Sequence, residues 1–140
     1  MRLNNAFFAS WTPRAQGLLR IVTGYLYLTH GTAKLLGVPH VASFDNLRPF
    51  SLIGFAGILE LVGGALLLIG LFTRPVAFVL CGEMAFAYFM AHGSQGYVLV
   101  PMLNRGELAV LYCFVFLFFA AAGAGAWSVD AVRRHRLVTA

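Results

Sequence analysis

Charged residues are scarce in this chain of 140 residues. Asp, Glu, Lys and Arg together make up 11% of the sequence, and five of these residues are acidic. Hydrophobic residues account for 60%, and the mean hydropathy is +0.81. Because soluble domains carry about 25% charged residues, this composition excludes a soluble globular protein and indicates an integral membrane protein.

Several catalytic signatures are also missing from the sequence. The two cysteines, Cys81 and Cys113, do not form a C-x-x-C motif. At 1.5 Å per residue their depths in the membrane are expected to differ by roughly 10 Å, which disfavours dithiol chemistry. The four histidines lack the paired spacing of a helical metal site, so no metal site is predicted. Neither a Gly-rich phosphate loop nor a nucleophile elbow is found.

Apolar segments fill most of the chain. Four of them are long enough to cross about 30 Å of hydrocarbon as helices, and they lie at approximately 17–36, 50–72, 75–92 and 107–127. Little chain remains outside them, so we expect residues 1–140 to form a single membrane domain, an all-α bundle of four helices. Before Pro13, apolar residues at helical spacing predict a short interfacial helix on the membrane surface; they are Leu3, Phe7, Phe8 and Trp11.

The basic residues indicate the orientation of the four segments. With four spans, both termini and the turn at 73–75 share one side, which carries Arg2, Arg14, Arg74, Arg133, Arg134 and Arg136. The opposite side carries Lys34, Arg48 and Arg105. The positive-inside rule therefore predicts that both termini are cytoplasmic. The basic pI of 9.8 then reflects topology and contact with anionic lipid, and no nucleic-acid partner is predicted.

Ionisable residues inside the apolar segments are the candidate functional residues, because a charge at membrane depth is costly. Glu60 lies about 19 Å from the cytoplasmic end of its segment. Arg20 and Glu83 belong with it to an inner set, and we predict that Arg20 pairs with Glu60 or Glu83. An outer set lies towards the opposite surface and is expected to line its opening; it consists of His30, Lys34, His92, Asn104, Arg105 and Glu107.

Three interpretations of these groups are open. They are structural ion pairs that hold four helices in register. Alternatively, they bind the polar head of a quinone or a similar small molecule, with His30 or Glu60 exchanging protons. The third interpretation is a proton or ion path in a small transporter. The residues alone do not decide between the three.

Six short motifs together resemble the DoxX family of small bacterial membrane proteins. They are Leu19-Arg20-Ile-Val-Thr-Gly24, His30-Gly31-Thr-Ala-Lys34-Leu35, Gly57-Ile-Leu-Glu60-Leu-Val-Gly63-Gly64, Gly70-Leu-Phe-Thr-Arg74-Pro75, Asn104-Arg105-Gly106-Glu107-Leu-Ala-Val-Leu-Tyr112 and Gly125-Ala-Trp-Ser-Val-Asp130. The resemblance covers nearly the whole chain and implies a four-helix protein of the bacterial inner membrane. It points to Arg20, His30, Lys34, Glu60 and Glu107 as recurring polar positions, without assigning them chemistry.

The resemblance also suggests a role. Some members of the family are described as membrane partners in redox or oxidative-stress complexes, and the family name comes from a relative associated with a thiosulfate:quinone oxidoreductase. We therefore expect a subunit or accessory factor of a quinone-linked redox system, with quinone as the ligand and a redox protein or a second copy as partner. Whether the chain itself is catalytic stays open, and a non-catalytic scaffold or a small proton-coupled transporter is the alternative.

Overall fold

The computed structural model describes residues 2–139, and the side chains of residues 7–137. Five α-helices follow in the order α1 Arg2–Leu36, α2 Leu52–Ile69, α3 Thr73–Ala87, α4 Glu107–Ala122 and α5 Val129–Thr139. Helix α3 continues into a π-helical turn, Tyr88–His92, and two short 3-10 helices lie at Ala42–Phe44 and Gly93–Gln95. No strand occurs between residues 2 and 139, so the all-α prediction is confirmed.

Within the part of the chain that the structure describes, two helices are long and apolar enough to cross a membrane: α2, and the continuous segment Thr73–Gln95. Helix α4 is a shorter apolar helix of 16 residues. It ends before the predicted boundary at 127 because Gly123 and Gly125, with φ of 89° and 70°, take the chain out of the helix. The predicted segment 17–36 lies within α1, which is 35 residues long.

Helix α1 runs through Pro13 without a break, so the prediction of a separate helix before Pro13 was wrong. Contacts with the segment after α4 outweigh the local preference of proline. The carbonyl of Pro13 accepts a hydrogen bond from the Ala126 N–H at 2.8 Å, and the Gln16 amide donates to the Gly123 carbonyl at 2.7 Å. The Leu3 side chain, part of that prediction, lies outside the described residues.

Helices α1 and α2 pack antiparallel with their backbones in close contact at glycines. A Cβ atom added to Gly24 would lie 2.6 Å from the Leu68 nitrogen, and one added to Gly64 would lie 2.6 Å from the Leu28 nitrogen. Small residues of this kind allow the dense packing on which helix association in a membrane depends.

Aromatic side chains connect this hairpin to the antiparallel pair of α3 and α4. The ring of Tyr27 in α1 packs edge-on against Phe116 and Tyr112 of α4, with centroid distances of 4.8 and 5.4 Å. Both Tyr27 and Phe116 are almost fully buried, whereas Phe78 and Phe114 are 69% and 63% exposed. A helical protein that is apolar inside and outside is typical of a membrane environment.

The glycine contacts between α1 and α2 can be tested with one methyl group. Gly24→Ala inserts a Cβ into the Leu68 backbone, and we expect a loss of roughly 1–3 kcal/mol of stability from overpacking. Gly82→Ala is the matched control, because a Cβ at Gly82 meets nothing within 4 Å and removing a helical glycine stabilises by up to about 1 kcal/mol. Thermal unfolding in detergent measures both. Equal melting temperatures for the two variants would contradict the close packing.

Candidate functional site

A cavity of about 640 Å³ lies between the helices, within the volume range of small-molecule sites. Its wall is mostly apolar. The polar side chains that reach it come from all four long helices and the π-helical turn; they are Tyr27, His30, Lys34, Glu60, Glu83, His92 and Tyr112. The structure therefore brings together five of the seven predicted site residues, and it places Arg20 and Glu107 outside the cavity.

Lys34 and Glu60 form an ion pair between α1 and α2. The Lys34 Nζ lies 2.6 Å from the Glu60 Oε1, and Glu60 is only 4% exposed. The second carboxylate oxygen of Glu60, Oε2, is buried with no hydrogen-bond partner among the described residues. Glu60 is thus neutralised by Lys34, and it keeps one free acceptor.

Tyr27 and Glu83 form the second polar contact of the cavity. The Tyr27 hydroxyl donates to the Glu83 Oε2 at 2.9 Å, while the Glu83 Oε1 is buried without a partner among the described residues. Sequence reasoning did not select Tyr27. The spacing of the sequence could have identified Tyr27, since Tyr27, His30 and Lys34 at i, i+3 and i+7 share one face of a helix.

Two imidazoles complete the polar wall. The His30 ring lies perpendicular to the Tyr112 ring, with centroids 6.3 Å apart. His92 belongs to the π-helical turn, and its Nδ1 lies 3.0 Å from the Asn104 carbonyl oxygen. Turns of this type are rare and are frequent at functional sites. Here the turn is anchored by Tyr88, whose hydroxyl donates to the Val98 carbonyl at 2.7 Å.

Arg20 lies at the other end of the bundle and is completely buried. Its guanidinium donates to five backbone carbonyls, those of Leu67, Leu68, Ala124, Ala126 and Trp127, at 2.6 to 3.2 Å. Those bonds match the five N–H donors that arginine carries. The prediction that Arg20 pairs with Glu60 or Glu83 was therefore wrong, because backbone carbonyls from the last turn of α2 and from the segment between α4 and α5 satisfy the guanidinium instead of a carboxylate.

Asp130 adds hydrogen bonds at the same end of the bundle as Arg20. Its carboxylate accepts hydrogen bonds from the backbone N–H groups of Phe72 and Thr73, at 3.0 and 2.8 Å. A carboxylate at the beginning of α3 satisfies free N–H groups and interacts favourably with the helix dipole. Arg20 and Asp130 together fasten the segment after α4 to the turn between α2 and α3.

Glu107 is exposed at the first position of α4 and does not line the cavity. An acidic residue in the first turn of a helix interacts favourably with the positive end of the helix dipole. Its position fits a helix-terminal role better than the predicted role at the outer opening.

The two cysteines are close together, contrary to the depth prediction. The Sγ atoms of Cys81 and Cys113 are 3.6 Å apart. The prediction failed because Gly106 packs directly on the Tyr88 ring, which places the start of α4 level with Tyr88. Cys81 and Cys113 are each seven residues from that level. Among the described residues, no three His, Cys, Asp or Glu side chains form a group that could hold a metal ion.

The fold and the cavity define an all-helical membrane protein with a mostly apolar cavity between its helices, into which several polar side chains reach. The DoxX family model matches residues 15–93, more than half of the chain. The chain belongs to the DoxX family.

Two relatives match the chain over most of its length. A protein of Haemophilus influenzae described as uncharacterized is 44% identical over 124 residues, which cover 86% of this chain and 91% of that protein. An uncharacterized membrane protein of Mycobacterium tuberculosis is 26% identical over 135 residues, which cover 80% of this chain and 77% of the relative. No solved structure matches the chain significantly.

Replacing Arg20 tests its role as a structural anchor. Arg20→Lys keeps the charge but loses the planar fork of donors, so several buried carbonyls lose their partner, and we expect a loss of at least about 2 kcal/mol. The variant should unfold at lower temperature, and trypsin should cut at Arg133 and Arg134 faster. Arg14→Lys, an exposed position, is the matched control. Wild-type stability and cleavage rate in Arg20→Lys would contradict the anchor.

Proposed function

We propose that this protein is a subunit or accessory factor of a quinone-linked redox or oxidative-stress system, and that its cavity binds the quinone head. The observation that carries the proposal is the cavity itself: about 640 Å³ of mostly apolar space into which seven polar side chains converge. Membership of the DoxX family supports a membrane function.

A quinone fits the chemistry of the cavity wall. It has a flat ring with two polar oxygens at opposite edges and a long apolar tail. The Tyr112 hydroxyl and the His30 imidazole are hydrogen-bonding groups suited to the ring oxygens. Part of the apolar wall consists of large side chains that are also exposed on the outer surface of α2 and α3, among them Leu52, Phe55 and Phe86. The cavity thus has an apolar route along which a tail can reach the lipid.

Reduction of a quinone consumes two electrons and two protons, and the cavity holds groups that exchange protons. Glu60, Glu83 and His30 all line it. In this proposal they pass protons to or from the ring oxygens, while a redox partner protein gives up or takes the two electrons.

Two other functions have support in the same contacts. The Lys34–Glu60 pair links α1 to α2 and the Tyr27–Glu83 bond links α1 to α3, as a non-catalytic scaffold subunit requires. Buried carboxylates are also the groups that a small proton-coupled transporter uses. Measurements of quinone binding and of proton flux distinguish the scaffold and the transporter from the quinone-linked function.

The proposal includes an orientation: four spans in the bacterial inner membrane, with both termini in the cytoplasm. The Ala126 N–H donates to the Pro13 carbonyl, and the N–H groups at the start of α3 donate to Asp130, which brings the early part of α1, the turn between α2 and α3, and α5 to one end of the bundle. That end carries an excess of arginines, which supports its cytoplasmic location.

Reporter fusions test this orientation. A fluorescent protein fused after Ala140 should be fluorescent, and alkaline phosphatase fused there should be inactive, because both would be cytoplasmic. Alkaline phosphatase inserted after Gly96, in the loop at the opposite end, should be active. The reverse pattern of activities would overturn the proposed topology.

Quinone binding is tested on the purified full chain in lipid nanodiscs, with decylubiquinone as the probe and empty nanodiscs correcting for partition. Binding should weaken about tenfold in Glu60→Gln and in His30→Ala, the order expected for one lost hydrogen bond in a dry site. Tyr27→Phe should weaken binding as well, whereas Tyr25→Phe should not, because Tyr25 is 56% exposed on another face of α1.

Unchanged affinity in all the cavity variants would contradict the quinone site and would support the non-catalytic scaffold function. Proton flux is measured in the same protein reconstituted in liposomes. We expect no flux above that of empty vesicles, and a protein-dependent flux abolished by Glu60→Gln would instead establish the transporter.

A further inference from the structure

A second cavity, of about 350 Å³, lies between α2 and α3, and we call it the groove. Leu59 of α2 and Val79 of α3 line both the groove and the larger cavity, so the two spaces meet at these side chains. Every residue of the groove is apolar; they are Ile58, Leu59, Val62, Gly63, Leu66, Pro75, Val76, Val79 and Leu80.

The larger cavity is closed on its other sides. Phe44, in the segment between α1 and α2, lines the end away from Arg20, and its ring centroid lies 5.9 Å from the Lys34 Nζ. The other helix interfaces are closed by direct packing: Gly31 on the Leu61 backbone between α1 and α2, Tyr27 on Tyr112 between α1 and α4, and Gly106 on Tyr88 between α3 and α4.

The side between α2 and α3 is open. Gly82 of α3 lines the larger cavity and is exposed, and a Cβ added to it would meet no group of the described residues within 4 Å. Phe55 of α2 and Phe86 of α3 line the same cavity and are also exposed. An apolar tail can therefore leave the cavity here.

We propose that the groove holds the apolar tail of the ligand whose head occupies the larger cavity, an inference that rests on the proposed function. Leu59 and Leu66 are seven residues apart, so the groove follows α2 for about 10 Å. It runs towards the end of the bundle where Arg20 lies, since Arg20 binds the Leu67 carbonyl. The ligand class is then a polar head with a flexible apolar tail at least as long as the groove.

Shape, rather than the hydrophobic effect, favours the tail in the groove. Lipid chains are as apolar as leucine, so a tail that moves from lipid into the groove is not removed from water. The groove supplies packing instead, because side chains around an empty space lack dispersion partners. The tail of a bound ligand is tethered beside the groove, which gives it a high effective concentration there. The position of the tail is therefore a sharper readout than the affinity.

Photo-crosslinking on the full chain in lipid nanodiscs measures this position. The probe is a ubiquinone analogue whose decyl tail carries a diazirine at its end. Mass spectrometry should find the label concentrated within residues 58–66 and 75–80, which contain the groove, and excess decylubiquinone should remove most of it. Label on the exposed α4 residues Phe114 and Leu117 should be weaker and should resist competition, because it comes from probe dissolved in the lipid.

A pair of identical substitutions tests the groove itself. Val76→Trp fills the groove but leaves the larger cavity intact, because Val76 lines the groove alone. We expect it to lose most of the competed label in the groove and to keep binding decylubiquinone. Val22→Trp is the matched control, since Val22 is exposed on α1 and lines neither space, and it should show the wild-type pattern.

Three results would overturn this inference while quinone binding still stands. They are label spread evenly over the exposed helix faces, groove label that decylubiquinone does not compete, and a wild-type pattern in Val76→Trp. If the wild-type chain binds no decylubiquinone above empty nanodiscs, the inference and the quinone function are both overturned.

Discussion

The hydrocarbon core of a membrane supplies no water, so a polar group inside this protein must be satisfied by another group of the protein or by a ligand. Arg20 shows how completely this requirement can be met. Its guanidinium is fully buried and donates to five carbonyls, drawn from the end of α2 and from the segment after α4. Leu67 and Leu68 lie in the last turn of α2, where a helix leaves carbonyls without their regular partners, and the other three carbonyls lie in the segment between α4 and α5. The Arg20 side chain therefore satisfies carbonyls of both segments and holds the end of α2 against the segment between α4 and α5.

Close backbone packing makes the polar contacts of the opposite end possible. The Lys34 Cβ lies only 3.1 Å from where a Cβ of Gly57 would be, one turn before Glu60 in α2. With a larger residue at Gly57 the two helices would stand farther apart, and the amine of Lys34 would no longer meet the carboxylate at 2.6 Å. The glycines thus act through geometry, since they set the helix separation at which the ion pair forms.

The sequence predicts the class of fold and most of the polar site because both depend on features that lie along the chain. Apolar length identifies the helices α2 and α3, and the cost of a buried charge identifies Glu60, Glu83, His30, Lys34 and His92. Partners are different, because they depend on how helices align across the bundle. Arg20 was assigned to a carboxylate although backbone carbonyls, which no sequence pattern marks, satisfy it.

Alignment across the bundle explains the other misses as well. Cys81 and Cys113 meet because Gly106 packs on Tyr88 and fixes the level of α4, a contact invisible in segment lengths. Tyr27 was overlooked because tyrosine is common in apolar helices, and only the position of Glu83 opposite it gives the hydroxyl a function. The prediction of a helix boundary at Pro13 was wrong for a similar reason, since contacts with residues 123–126 support the helix around Pro13.

The two ends of the bundle differ in a way that bears on function. At the Arg20 end, every donor of the buried guanidinium is used, which is what a structural contact requires. At the cavity end, Glu60 and Glu83 each keep a buried oxygen without a partner among the described residues, and each such group costs about 1–3 kcal/mol. A scaffold gains nothing from that cost, since uncharged side chains would hold the helices equally well. The unpartnered carboxylate oxygens therefore distinguish the cavity end from the Arg20 end, where each donor of the buried guanidinium has its acceptor.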